Sequence, residues 1–154
     1  MKYIHYGSQN FIQEYFMPIT NKPLFVKPTG GLWASPIDAQ YGWAEWCKNN
    51  DFREIRKENS FSFELTDDAK VYHVYSVKDL EKLPIQEDDV SKIIGSSSMV
   101  YLDFEKISKD YDAIELHLSE EKIEIDHFLN GLYWKLYGWD CDSILIMNPN
   151  IIKL

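Results

Sequence analysis

Three features of the 154-residue chain predict an α+β fold with a mostly antiparallel sheet and flanking helices. Seven short segments rich in β-branched and aromatic residues are each bounded by turn formers. Helical periodicity or helix-start signals occur in only three places. The two kinds do not alternate as strand-helix-strand units, and neither GxGxxG nor GxxxxGK[ST] is present, which disfavours a doubly wound sheet. At 18.2 kDa and 45% apolar residues, residues 1–154 are expected to form a single domain with its own core.

The expected strands are 3–6, 31–34, 61–65, 71–75, 99–103, 113–118 and 143–147. In Phe61-Ser62-Phe63-Glu64-Leu65 apolar and polar residues alternate, as in a strand with one wet face. Ser35-Pro36-Ile37-Asp38 reads as a helix start, with a capping hydroxyl, a proline at the first helical position and an acid. That helix is expected to run to about Asn49. Its apolar arc, which includes Trp43, Trp46 and Cys47, is wide enough to bury at least one of the two tryptophans deeply. Ser76-Val77-Lys78-Asp79 is a second capping box, opening a short helix that Pro84 ends. Ile125, Phe128, Leu129, Leu132, Tyr133 and Leu136 recur at helical spacing and predict a third helix, which Gly138 stops. Gly95-Ser96-Ser97-Ser98, preceded by the acidic Glu87-Asp88-Asp89, reads as a flexible loop.

Lys+Arg is 16 and Asp+Glu is 25, a formal charge of −9 that disfavours general nucleic-acid binding. No apolar run reaches the roughly 20 residues of a membrane span. MKYIHYGSQN has no apolar core of a signal peptide, so a cytoplasmic protein is expected. Cys47 and Cys141 make neither a disulfide framework nor a zinc site. Cys47 sits at core spacing on its helix, and Cys141 lies between two acids that disfavour its thiolate. His5, His73, His117 and His127 show no H-x-x-x-H or H-E-x-x-H spacing, so no metal site is predicted.

Three motifs carry candidate chemistry. In Tyr3-Ile4-His5-Tyr6-Gly7-Ser8, a strand histidine before a glycine and a small hydroxyl residue can present an imidazole and free backbone groups to a ligand. In the segment from Lys27 to Pro36, Gly30 and Gly31 permit close approach, Trp33 can form one wall of a stacking slot, and Ser35 stands at a helix start that favours anions. In the segment from Gly138 to Pro149, Asp140 and Asp142 precede an apolar strand, where a carboxylate can point into a cleft. Tyr111-Asp112 precedes a similar strand that holds Glu115. These coincidences predict that His5 and Trp33 line one cavity.

In this order the motifs resemble the ADP-ribosyltransferase fold of diphtheria-toxin-like enzymes and poly(ADP-ribose) polymerases. His5-Tyr6-Gly7-Ser8 is similar to the family's NAD-binding His-Gly-Ser/Thr strand, with one extra residue. Gly-Gly-Leu-Trp-Ala-Ser resembles its second motif, in which Trp33, with Tyr41 one turn further on, takes the place of the aromatic packed on nicotinamide. Segments 111–116 and 142–152 resemble its last two strands, although Asp142 and Ser143 stand where the family has a catalytic glutamate. The wider pattern also resembles proteins of bacteria and their phages, which implies no activity.

The resemblance implies a split sheet, NAD as cosubstrate and mono-ADP-ribosyl transfer to a protein or nucleic-acid acceptor. Asp142 would stabilise the oxocarbenium-like state, with Glu115 as its substitute, and His5 would contact the ribose. Trp33 and Tyr41 would face the nicotinamide, while Gly7, Ser8, Gly31 and Ser35 would hold the dinucleotide. A second expectation rests on charge and on the aromatic content of 15%. It is a non-catalytic acidic binding protein or inhibitor, imitating nucleic-acid charge and docking a basic partner through Trp and Tyr anchors. Acids lining a cleft beside His5 and Trp33 favour the enzyme, and acids spread over one broad face favour the inhibitor.

Overall fold

Strands form at all seven expected places in the computed structural model, which describes residues 1–22, 27–86, 99–117, 126–129, 132–135 and 139–154. They are β1 (Lys2–Tyr6), β2 (Leu32–Pro36), β3 (Ser60–Leu65), β4 (Val71–Val74), β5 (Met99–Val100), β6 (Ala113–Leu116) and, near the C-terminus, β9 (Ser143–Ile146). Three more were not expected: β7 (Asp126–Leu129), β8 (Leu132–Lys135) and β10 (Ile152–Lys153). Seven strands share a sheet in the order β10-β3-β1-β2-β9-β6-β4. The sheet is mixed: β4 and β6 run parallel, and its other neighbours run antiparallel. With few helices the architecture is α+β. A second sheet has the order β5-β8-β7.

Alternation along the strands divides the core between the two faces of the large sheet. One face carries Val74, Ile114, Leu116 and Leu145, and buries them against Leu80, Phe104, Ile107 and Trp139. The other carries Tyr3, Ala34, Phe63, Ala113, Ile144 and Ile146, and packs on Ile151 and Phe16. Two carboxylates tie the frame together. Asp112 accepts from the Lys70 amide at 2.9 Å and from the Asn148 side chain at 2.7 Å, which joins the ends of β4, β6 and β9. Asp103 caps α3 (Phe104–Asp110) by accepting from the Lys106 amide, and it also accepts from Asn21 Nδ2 at 2.8 Å.

The helices differ from expectation in three ways. The first, α1 (Trp43–Asn49), begins well after Ser35-Pro36, both of which belong to β2. Ser35 still caps it, across space rather than along the chain: its Oγ accepts from the Trp43 amide at 3.0 Å. The next helix, α2 (Val77–Leu80), agrees with expectation and forms where the capping box predicts, with Asp79 Oδ2 accepting from the Ser76 amide at 3.0 Å. α3 was not expected, although Asp103 followed by Phe104 and Ile107 carries its signal.

The third difference is the stripe expected as a helix, which instead contains β7 and β8, paired antiparallel with Leu129 opposite Leu132. In the sequence, Asn130-Gly131 separates the two apolar runs, and this dipeptide is a strong hairpin signal that competes with the helical period. Ile125, Leu136, the Gly138 stop, the loop at 95–98 and the acidic stretch 87–89 lie outside the described residues. Among the described residues no helix is long and apolar enough to cross a membrane.

Candidate functional site

β1 and β2 pair at only two positions, Tyr3 with Pro36 and Ile4 with Ser35. Beyond Ile4 the pairing stops and the His5 side chain bridges the strands. Its Nδ1 lies 2.7 Å from the Trp33 carbonyl oxygen. A carbonyl can only accept, so Nδ1 carries the proton and Nε2 keeps its lone pair. The ring also packs on Phe61, with centroids 5.2 Å apart. Burial pulls the pKa of His5 below its ordinary 6.5, although the bond to Trp33 opposes this, so the ring is neutral at pH 7.

The parted strands open a cavity of about 200 Å³ whose wall includes His5, Trp33 and Ser35. Lys27, Trp43 and Arg53 complete the part of the wall that matters chemically. Lys27 Nζ lies 4.7 Å from the Trp33 ring centroid, and Arg53 Cζ lies 5.3 Å from that of Trp43. Each ring also packs on a second tryptophan. Trp139 meets Trp33 edge-on at 4.6 Å, and Trp46 stacks on Trp43 at 5.1 Å. Burial lowers the pKa of Lys27, partly offset by the charge of Asp140. Burial also pushes the Cys141 thiol, on the same wall, up to about 12, so it is not a thiolate nucleophile near neutral pH.

His5, Trp33 and Ser35 therefore meet at one cavity, while the other expected residues lie elsewhere. Gly7 lines a shallow neighbouring cavity of about 110 Å³ that shares Tyr6 and Arg53 with the first. Ser8 and Gly31 line a third cavity, of about 350 Å³, beside Phe16 and Phe61. Gly30 and Gly31 serve the chain's own packing. Both have positive φ, and a Cβ would lie 2.1 Å from the Pro18 carbonyl oxygen at Gly30 and 2.7 Å from that of Ile146 at Gly31. The Tyr41 carbonyl accepts from the Asp142 amide at 2.9 Å. Asp142 is buried, between Cys141 and Ser143, which line the first cavity, but it does not line that cavity itself. Among the described residues that line this cavity, none is acidic.

Glu115 is fully buried in β6, away from this cavity. Its Oε2 accepts from the Tyr3 hydroxyl at 3.2 Å and lies 3.2 Å from His73 Nδ1. Register explains the meeting: His73 of β4 is directly opposite Glu115, and His117, two residues further on, shares its face. The two imidazoles approach to 3.1 Å, and Tyr75 stacks on His117 at 4.4 Å. Sequence spacing did not point to this cluster. The available signal was Glu115-Leu116-His117 on an expected strand, which puts a carboxylate and an imidazole on one face.

Neither Trp43 nor Trp46 is deeply buried, contrary to expectation. Both are half-buried, and Cys47 takes the fully buried position of α1. The reason is the short helix: it starts at Trp43, so the two tryptophans stack on each other, and the exposed Phe52 covers the pair only edge-on. Comparison of the chain with protein-family models, with curated proteins and with solved structures finds no match in any of the three.

Proposed function

We propose that the cavity between β1, β2 and α1 binds an anionic ligand with a flat aromatic ring, a nucleotide, with NAD as the first candidate. The supporting observation is the pairing of two tryptophan faces with two cations, with no acid among the described lining residues, in a protein of net charge −9. A ring entering between Trp33 and Trp43 exchanges cation–π contacts for stacking, and releases the ammonium and guanidinium to the phosphates. The His5 Nε2 lone pair accepts a hydrogen bond from a ribose hydroxyl or a carboxamide. At about 200 Å³ the cavity is below the roughly 300–1,000 Å³ that encloses a drug-sized ligand, so it takes one end of a dinucleotide.

Titration of the intrinsic tryptophan fluorescence with NAD, AMP and nicotinamide mononucleotide tests this. Saturable quenching by at least one of them is expected. Trp43→Ala should weaken binding by roughly 5- to 150-fold, the equivalent of about 1–3 kcal/mol for one stacked ring. Lys27→Gln should weaken binding and reduce its salt dependence. Absence of saturable quenching by all three nucleotides overturns the proposal.

A second reading, transfer of ADP-ribose, draws on one observation: Asp142 lies between two lining residues, Cys141 and Ser143. It requires the Asp142 carboxylate to turn into the cavity when the ligand is bound, and nicotinamide release is its readout.

A further inference from the structure

We infer that His73, Glu115 and His117 form a binding site for a divalent first-row transition-metal ion, held by two imidazole nitrogens and one carboxylate oxygen. The site is separate from the tryptophan-lined cavity and does not depend on the reading of that cavity.

The geometry carries the inference. One ligand atom from each residue can be chosen so that all lie within 4.8 Å of one another. His73 Nδ1 is 3.1 Å from His117 Nε2 and 3.2 Å from Glu115 Oε2, and His117 Nε2 is 3.7 Å from that oxygen. A tetrahedral ion with bonds of about 2.0–2.1 Å has ligand atoms roughly 3.3–3.4 Å apart, so the three edges already bracket the required triangle. Parallel pairing of β4 with β6 fixes the backbone beneath it, because His73 and Glu115 occupy one register position. The Tyr3 hydroxyl holds the carboxylate oxygen at 3.2 Å, as an outer partner does in metal sites.

The donor set selects the ion class. Two imidazoles and one carboxylate suit zinc, cobalt, nickel or ferrous iron, and not calcium or magnesium, which take oxygen ligands. Accessibility is graded across the three side chains, 42% for His73, 12% for His117 and 0% for Glu115. An ion here has its protein ligands beneath it and its outer side toward solvent, the arrangement of a site that keeps an open position. Binding needs lone pairs on His73 Nδ1 and His117 Nε2, so the proton on that 3.1 Å contact passes through solvent to the other nitrogen of the same ring, and each imidazole stays neutral with its hydrogen turned away from the ion.

The test is titration of the full chain, freed of metal by chelation and dialysis, with Zn²⁺ by calorimetry and with Co²⁺ by visible absorption. One equivalent should bind, with the intense visible bands of low-coordinate cobalt and without a thiolate charge-transfer band. His73→Ala, at a solvent-accessible ring, should weaken Zn²⁺ binding by at least about 10-fold, and Glu115→Gln should do the same. If Glu115→Gln fails to fold, His73→Ala decides alone. No binding by the wild type overturns the inference. So does undiminished binding by His73→Ala, or a thiolate band that assigns the ion to Cys47 or Cys141.

Discussion

His5 Nδ1 donates to the carbonyl oxygen of Trp33 across 2.7 Å, at the point where β1 and β2 stop pairing. One side chain thus replaces a ladder contact, holds the two strands apart at a fixed distance, and leaves its second nitrogen as an acceptor. The same bond positions the tryptophan that forms one wall of the cavity.

His5 in the folded protein has a pKa below 6.5, lowered first by burial, whereas the unfolded chain titrates near 6.5. Protonation therefore favours the unfolded chain. Stability should be lost as pH falls from 6.5 toward the folded value, and His5 should have no effect above 6.5. Urea midpoints from pH 7.5 down to 5 should show this decline, and it should shrink in His5→Gln. His73, lowered by burial and by His117, adds a decline of the same sign that remains in that variant.

Glycine pairs of this kind are easily read as ligand contacts, and Gly30→Ala separates the two roles. A Cβ at this position would lie 2.1 Å from a backbone oxygen, at φ +80°. Backbone strain alone costs about 1–3 kcal/mol. A fall in urea midpoint with unchanged slope is expected. Normal stability with weakened nucleotide binding would indicate that the glycine serves the ligand.

Tyr3→Phe removes the hydroxyl that bonds the buried Glu115 carboxylate. Taking a donor away from a buried acceptor costs about 1–3 kcal/mol, and the fold should lose about that much in equilibrium unfolding. Metal affinity should also fall, because the carboxylate loses the partner that orients it.

Asp142→Asn distinguishes binding from transfer. Asp142 does not line the cavity, so the variant should keep nucleotide affinity within about twofold. If the wild type releases nicotinamide from NAD, the variant should lose about 10²–10³-fold in rate, the usual effect of one electrostatic contact made only in the transition state. Glu115→Gln, away from the cavity, should leave that rate unchanged.

The strands were legible because their signal is local. Alternating or continuous β-branched and aromatic runs between turn formers specify an extended segment whatever it pairs with, and β1 to β6 and β9 lie where those runs are. The capping box at Ser76 was legible for the same reason, since Asp79 bonds residues three and four positions away. In segment 125–136 two local signals compete, and the pairing of β7 with β8 follows the Asn-Gly hairpin signal in the sequence rather than the helical spacing.

His5, Trp33 and Ser35 were nameable from the sequence because each sits beside its own local cue, a strand end, a glycine pair and a proline. Lys27, Trp43 and Arg53, which line the same cavity, carry no such cue. Local composition and spacing set which segments are extended, which residues are apolar and where the charge lies. Folding brought Ser35 to cap a helix eight residues away in the chain, His5 to span two parting strands, and His73 to face Glu115, 42 residues away in the chain. Strand order and register are set by long-range packing of whole faces, and no short motif encodes them.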